Sequence, residues 1–159
     1  MGRVGTKPRL SGLARVPFDH ARIFPRLEAE GFAYTSPEST DYNCVAWAAE
    51  DDSRRWDPWS DDYYWPEAAP RSSGIDAMVA VFESLGYSLC ADGDYEVGMD
   101  KVALYADPLG EATHAARQIG PNAWTSKIGD HDDITHTLGG LVSDEYGSVS
   151  RFLKRSRQS

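Results

Sequence analysis

Cys44 stands in the run Asp41-Tyr42-Asn43-Cys44-Val45-Ala46-Trp47, between loop chemistry at 35–41 and an Ala-rich segment with few strand formers. This predicts a helix over 42–50, capped by Thr40 or Asp41, with Cys44 in its first turn. A thiol there feels the positive end of the helix dipole, which favours the thiolate, the form that attacks a carbonyl carbon. Such a nucleophile needs a base, ordinarily remote in sequence and close in space. His114, at the end of Glu111-Ala112-Thr113-His114, opens a strand-like run. Its ring is expected to project from a sheet edge toward the helix.

The group that orients the imidazole depends on the following hairpin. If Gly120-Pro121-Asn122 is a three-residue loop, Ile119 pairs with Ala123, and Ser126 shares the face of His114 opposite Ala116. If the turn is Pro121-Asn122 alone, Thr125 and Lys127 take that face. Pro-Asn is a poor two-residue turn and Asn tolerates positive φ, so Ser126 is the expected third member. Backbone N–H groups at the helix start would stabilise the oxyanion. Asn43, Trp47, Trp124 and Lys127 are the expected substrate contacts, Lys127 for a substrate carboxylate.

Plainer readings stand beside these. Cys44 can be a core residue, His114 a satisfied structural histidine, and Cys90, in Tyr87-Ser88-Leu89-Cys90, a buried small hydrophobe. Trp56, Trp59, Tyr63, Tyr64 and Trp65, in the Asp- and Pro-rich stretch 51–70, read as anchors packed on the domain or as a ligand cleft. His131, Asp132, Asp133 and His136 lie close in sequence, but their spacing matches no specific zinc pattern. No metal and no cofactor is expected, and the role of His136 is left open.

The elements that must hold these residues follow from periodicity. Residues 23–31 predict a short helix, with Pro25 in its first turn and Gly31 as its stop. Ser72-Ser73-Gly74 opens an amphipathic helix with Ile75, Met78, Val79, Phe82 and Leu85 on one face and Gly86 at its end. Strands are predicted at 101–106, 114–119 and 123–128, and helical patches after Asp133. Helices first and an antiparallel sheet afterwards give an α+β class.

The 159 residues suit one domain, expected over 18–155, preceded by an extended arm at 1–17 and followed by a basic tail end at 156–159. Two cysteines in a chain without a secretory signal are expected as free thiols in the cytoplasm. No run of about 18 apolar residues occurs, so no membrane span is predicted. A net charge of −9 disfavours nucleic acid and anionic lipid. The acids between Glu38 and Glu67 leave room for a protein partner with a basic surface.

Taken in order, Tyr42-Asn43-Cys44-Val45-Ala46-Trp47, Lys101-Val102-Ala103-Leu104-Tyr105-Ala106, Thr113-His114-Ala115-Ala116-Arg117-Gln118, Trp124-Thr125-Ser126-Lys127-Ile128-Gly129 and Asp133-Ile134-Thr135-His136 resemble a small, mostly bacterial family of uncharacterised proteins. More distantly, helix-borne Cys, strand-borne His and a polar residue on the next strand resemble the papain-like clan, especially NlpC/P60 and CHAP-type amidases. That resemblance implies a papain-like arrangement with N-terminal helices packed on a C-terminal sheet. It also implies a thiol hydrolase or acyltransferase acting on an amide, ester or thioester of a small molecule or peptide. Asn43-Cys44-Val45-Ala46 replaces the Asp-Cys-Ser-Gly type of motif, and Ser126 falls where the clan carries His, Asn or Gln. The alternative expectation is a non-catalytic acidic intracellular binding protein, immunity-like or a degenerate papain-like domain.

Overall fold

The computed structural model describes residues 20–157. Its centre is a sheet of seven described strands: β1 (Phe32–Ser36), β2 (Ser88–Cys90), β3 (Met99–Ala106), β4 (Ala112–Gly120), β5 (Ala123–Lys127), β6 (Asp133–His136) and β7 (Ser148–Ser156). Their order is β1-β6-β5-β4-β3-β7-β2. Every pair is antiparallel.

The helices are short: α1 (His20–Ile23), α2 (Leu27–Glu30), α3 (Cys44–Ala48) and α4 (Ile75–Glu83). This corrects the α+β, papain-like expectation of N-terminal helices packed on a C-terminal sheet. The domain is β-rich, and its helices are small attachments to one continuous sheet.

Two segments account for the difference. Residues 32–36 form edge strand β1 through pairing with β6, and so take in Thr35 and Ser36, which were expected to open a loop. The region after Asp133, expected as helical patches, forms β6 and β7. In β7, Arg151, Lys154 and Arg155 interrupt the apolar pattern, so the segment reads as a basic tail. Yet β7 lies inside the sheet between β3 and β2. Two of these cations are neutralised by neighbours: Lys154 by Glu96 at 3.0 Å, and Arg155 by Glu50 at 3.3 Å and Asp100 at 3.5 Å. The expected arm at 1–17 lies outside the described residues, as do the last two residues of the tail.

Alternation along each strand separates two apolar cores. Val102, Leu104, Ala115 and Leu153 meet Val45, Ala46 and Ala48 of α3 and Ile75, Met78, Val79 and Phe82 of α4. Ala103, Tyr105, Ala116, Trp124 and Ile134 meet Phe24, Leu27 and Leu141 on the opposite face. Stretch 51–70 is irregular as expected; Trp56 and Trp65 are buried while Trp59 is exposed. Among the described residues no helix is long and apolar enough to cross a membrane.

Candidate active site

Cys44 is the first residue of α3, and the cap is Asn43 rather than Thr40 or Asp41. Asn43 Oδ1 accepts from the N–H groups of Ala46 and Trp56, and its Nδ2 donates to the Trp56 carbonyl at 2.8 Å. This expected substrate contact is thus occupied in fixing the helix start and seating the 51–70 stretch against it. Trp47, one turn on, stacks on Tyr42 at 5.5 Å and donates from Nε1 to Thr125 Oγ1 at 3.0 Å. Thr125 is level with Arg117 across β4 and β5, so α3 lies over these two strands on the face of Ala115 and Arg117.

The hairpin combines both expected geometries. Gly120 pairs with Ala123, leaving Pro121-Asn122 as the turn with Asn122 at φ 53°. Ile119 is then bulged out, so Gln118 faces Trp124 and Arg117 faces Thr125. This is the register of the three-residue loop, and it puts Ser126 on the face of His114. The Ser126 hydroxyl lies 2.8 Å from His114 Nε2 and 2.7 Å from His136 Nε2. His136 Nδ1 is 2.6 Å from the Thr137 carbonyl. His136 is the residue whose part the sequence left open. The signal was Asp133-Ile134-Thr135-His136 read at period two, which sets His136 beside Ile134 on a buried face.

β4 is the central strand, not an edge, and the His114 ring turns away from α3. It stacks on Tyr146 with centroids 4.2 Å apart and meets Tyr105 edge-on at 5.5 Å. Thr113 Oγ1 donates to the Tyr146 carbonyl and fixes that lid from below. Burial, then the neighbouring His136, hold the His114 pKa well below the ordinary histidine value. His114 Nδ1 is buried and has no hydrogen-bond partner among the described residues.

Cys44 reaches the same strand from the other side. The β4–β5 ladder ends at Arg117↔Thr125, and beyond it the backbone N–H of Ala115 lies near enough to the Cys44 sulfur to favour its thiolate. The thiol therefore lies beside the peptide unit that joins His114 to Ala115, although no hydrogen bond joins it to the ring. Burial raises the Cys44 pKa, opposed by the N–H groups of Ala115 and Val45 and by the charge of Lys127. Cys44 and Cys90 are both free, and Cys90 is half-buried rather than buried.

Lys127, the expected carboxylate binder, is itself fully buried; its Nζ donates to the carbonyls of Gly129 at 2.7 Å and His131 at 2.6 Å. Trp124 belongs to the core of the far face, beside Phe152. Asp133 and His136 point to opposite faces of β6, and among the described residues no three His, Cys, Asp or Glu side chains form a metal-binding group. A pocket of about 540 Å³, lined by Thr40, Asp41, Arg55, Tyr63 and Asp130 among others, opens at the loop leading into α3.

Fold and site together define a β-rich, single-sheet domain in which a helix-borne thiol is seated on the strand of a buried histidine. The chain belongs to the family described as domain of unknown function DUF7689, which matches residues 33–154. That match carries no activity, and nothing in it connects the chain to papain-like enzymes. No curated protein and no solved structure matches the chain.

Proposed function

We propose that the domain is a thiol-dependent hydrolase or acyltransferase acting on an amide, ester or thioester. The observation that carries the reading is the placement of Cys44, at the start of α3, beside the His114–Ala115 peptide of β4, on the strand of a histidine whose Nδ1 lacks a partner among the described residues. In the proposed reaction the Cys44 proton passes to His114 Nδ1 through the gap beyond Arg117↔Thr125, where β4 and β5 no longer pair, as the Cys44 sulfur bonds to the carbonyl carbon. The tetrahedral oxyanion collapses, the bond to the leaving amine, alcohol or thiol breaks, and His114 returns the proton to that group. Water or a second acceptor then attacks the acyl-thioester, with His114 again as base. The raised thiol pKa fits a resting state in which thiol and imidazole are both neutral.

A second reading, an acidic binding protein without turnover, is favoured by the absence of a hydrogen bond between Cys44 and His114. Its partner would present a basic surface to the carboxylates between Glu38 and Glu67.

Iodoacetamide labelling of the full chain at neutral pH separates the two. The hydrolase reading expects Cys44 to label faster than Cys90, and His114→Ala to slow it by roughly a hundredfold, the lower end of general-base effects. A p-nitrophenyl ester should leave an acyl group on Cys44 that Cys44→Ser abolishes. Equal, slow labelling of both cysteines without acylation would overturn the hydrolase in favour of the binder.

A further inference from the structure

A hydrogen-bond chain that ends on an obligatory acceptor has a fixed proton order along its length. The Thr137 carbonyl oxygen can only accept, so His136 Nδ1 donates to it at 2.6 Å. Burial keeps His136 neutral, with its pKa pushed down to about 4. Its Nε2 therefore has no proton and accepts from the Ser126 hydroxyl at 2.7 Å. A hydroxyl has a single hydrogen. With that hydrogen on His136, Ser126 accepts from His114 Nε2 at 2.8 Å. His114, neutral for the same reason of burial, then carries its one proton on Nε2 and its lone pair on Nδ1.

We infer that His136, two strands away from β4, is a positioning residue that acts through Ser126 to set which nitrogen of His114 is the base. Ser126 alone cannot do this, because its hydroxyl can donate or accept. If it turned its hydrogen to His114 Nε2, the proton of His114 would move to Nδ1, and the nitrogen free to receive a proton would face Ser126. The Thr137 carbonyl breaks the symmetry, His136 transmits it, and Ser126 delivers it. The chemical meaning of this order rests on the hydrolase reading, while the order itself does not.

The test is the tautomer of each ring in the full chain labelled with nitrogen-15, read by long-range proton–nitrogen correlation at neutral pH. The expected result is His136 protonated on Nδ1 and His114 protonated on Nε2. The opposite tautomer at either ring overturns the inference in the wild-type chain, with no variant needed. His136→Phe keeps a ring of similar size and removes the acceptor. It should convert the single His114 tautomer to a mixture and slow Cys44 labelling by roughly tenfold, a fraction of the full general-base effect. An unchanged His114 tautomer in that variant also overturns the inference. Should Cys44 labelling ignore His114→Ala while the tautomers are as stated, the hydrolase reading fails and the proton order stands.

Discussion

Tyr42 donates its phenolic hydrogen to Asp133 Oδ2 over 2.6 Å, joining the residue two before Cys44 to the first residue of β6. Burial raises the Asp133 carboxyl pKa, and the Tyr42 hydroxyl opposes that by favouring the ionised form. The same ring stacks on Trp47 and stands 5.3 Å from Lys127 Nζ. Tyr42→Phe should therefore lower stability by about 1–3 kcal/mol, the cost of leaving a buried acceptor without its donor. The readout is the urea midpoint near pH 7. Because α3 is then held less firmly, Cys44 should also label faster; an unchanged midpoint with unchanged labelling would show that the bond does not anchor the helix.

Lys127 supplies the next prediction, through pH. Burial lowers its pKa from the usual lysine value to about 8, against the attraction of Asp133 and Asp130. Between pH 8 and the ordinary value of about 10.4 the unfolded chain binds this proton and the folded chain does not, so stability rises with pH across that window. Measured against Lys127→Met, the wild type should gain roughly 2 kcal/mol between pH 7.5 and 9.5, the part of that window the measurement spans. Melting both proteins at pH 7.5 and 9.5 decides the matter: two curves that move in parallel would mean that Lys127 titrates normally.

The local signals were legible where the chain makes its own contacts. Gly74 and Gly86 bracket α4 as read, and strands β3, β4 and β5 lie within two residues of expectation. The register that brings Ser126 to His114 was also legible, although a bulge at Ile119 produces it instead of a longer turn. What the sequence concealed depends on partners distant in the chain. β1 has an exposed outer side and exists through β6. Lys154 and Arg155 of β7 are tolerated inside the sheet through Glu50, Glu96 and Asp100. Which face His114 occupies relative to α3 could not follow from spacing, since it is set by the pairing of β4 with β3 and by Tyr146 arriving from the far end of the chain.

Gly147 controls that arrival. It has φ 71° and exchanges backbone hydrogen bonds with Ser143, closing the turn that sets Tyr146 over His114. A Cβ there would overlap the Ala106 carbonyl oxygen, a backbone atom of β3 that cannot step aside. Gly147→Ala is expected to cost about 3 kcal/mol or more, combining strain with displacement of β7. Gly129→Ala, also at positive φ but with open space around the new methyl, should cost only about 1 kcal/mol. Comparing their denaturation midpoints isolates the clash from the backbone preference, and equal losses would refute the steric account.

The two buried histidines make the fold sensitive to mild acid. Both are neutral in the folded chain, His136 with a pKa near 4 and His114 well below the usual histidine value. In the unfolded chain each titrates near 6.5, so below that pH the unfolded state binds two protons that the folded state refuses. Stability must fall as pH drops, with a limiting slope of roughly 2.7 kcal/mol per pH unit near pH 5 for the pair. His136→Phe removes one of the two groups and should about halve that slope down to pH 4, even if it starts from lower stability. Urea midpoints at pH 6.5, 5.5 and 4.5 give both slopes. A wild type whose stability stays level over that range would mean that the relay accepts a proton without cost, and with it the neutral state that fixes the proton order from Thr137 to His114 would be lost.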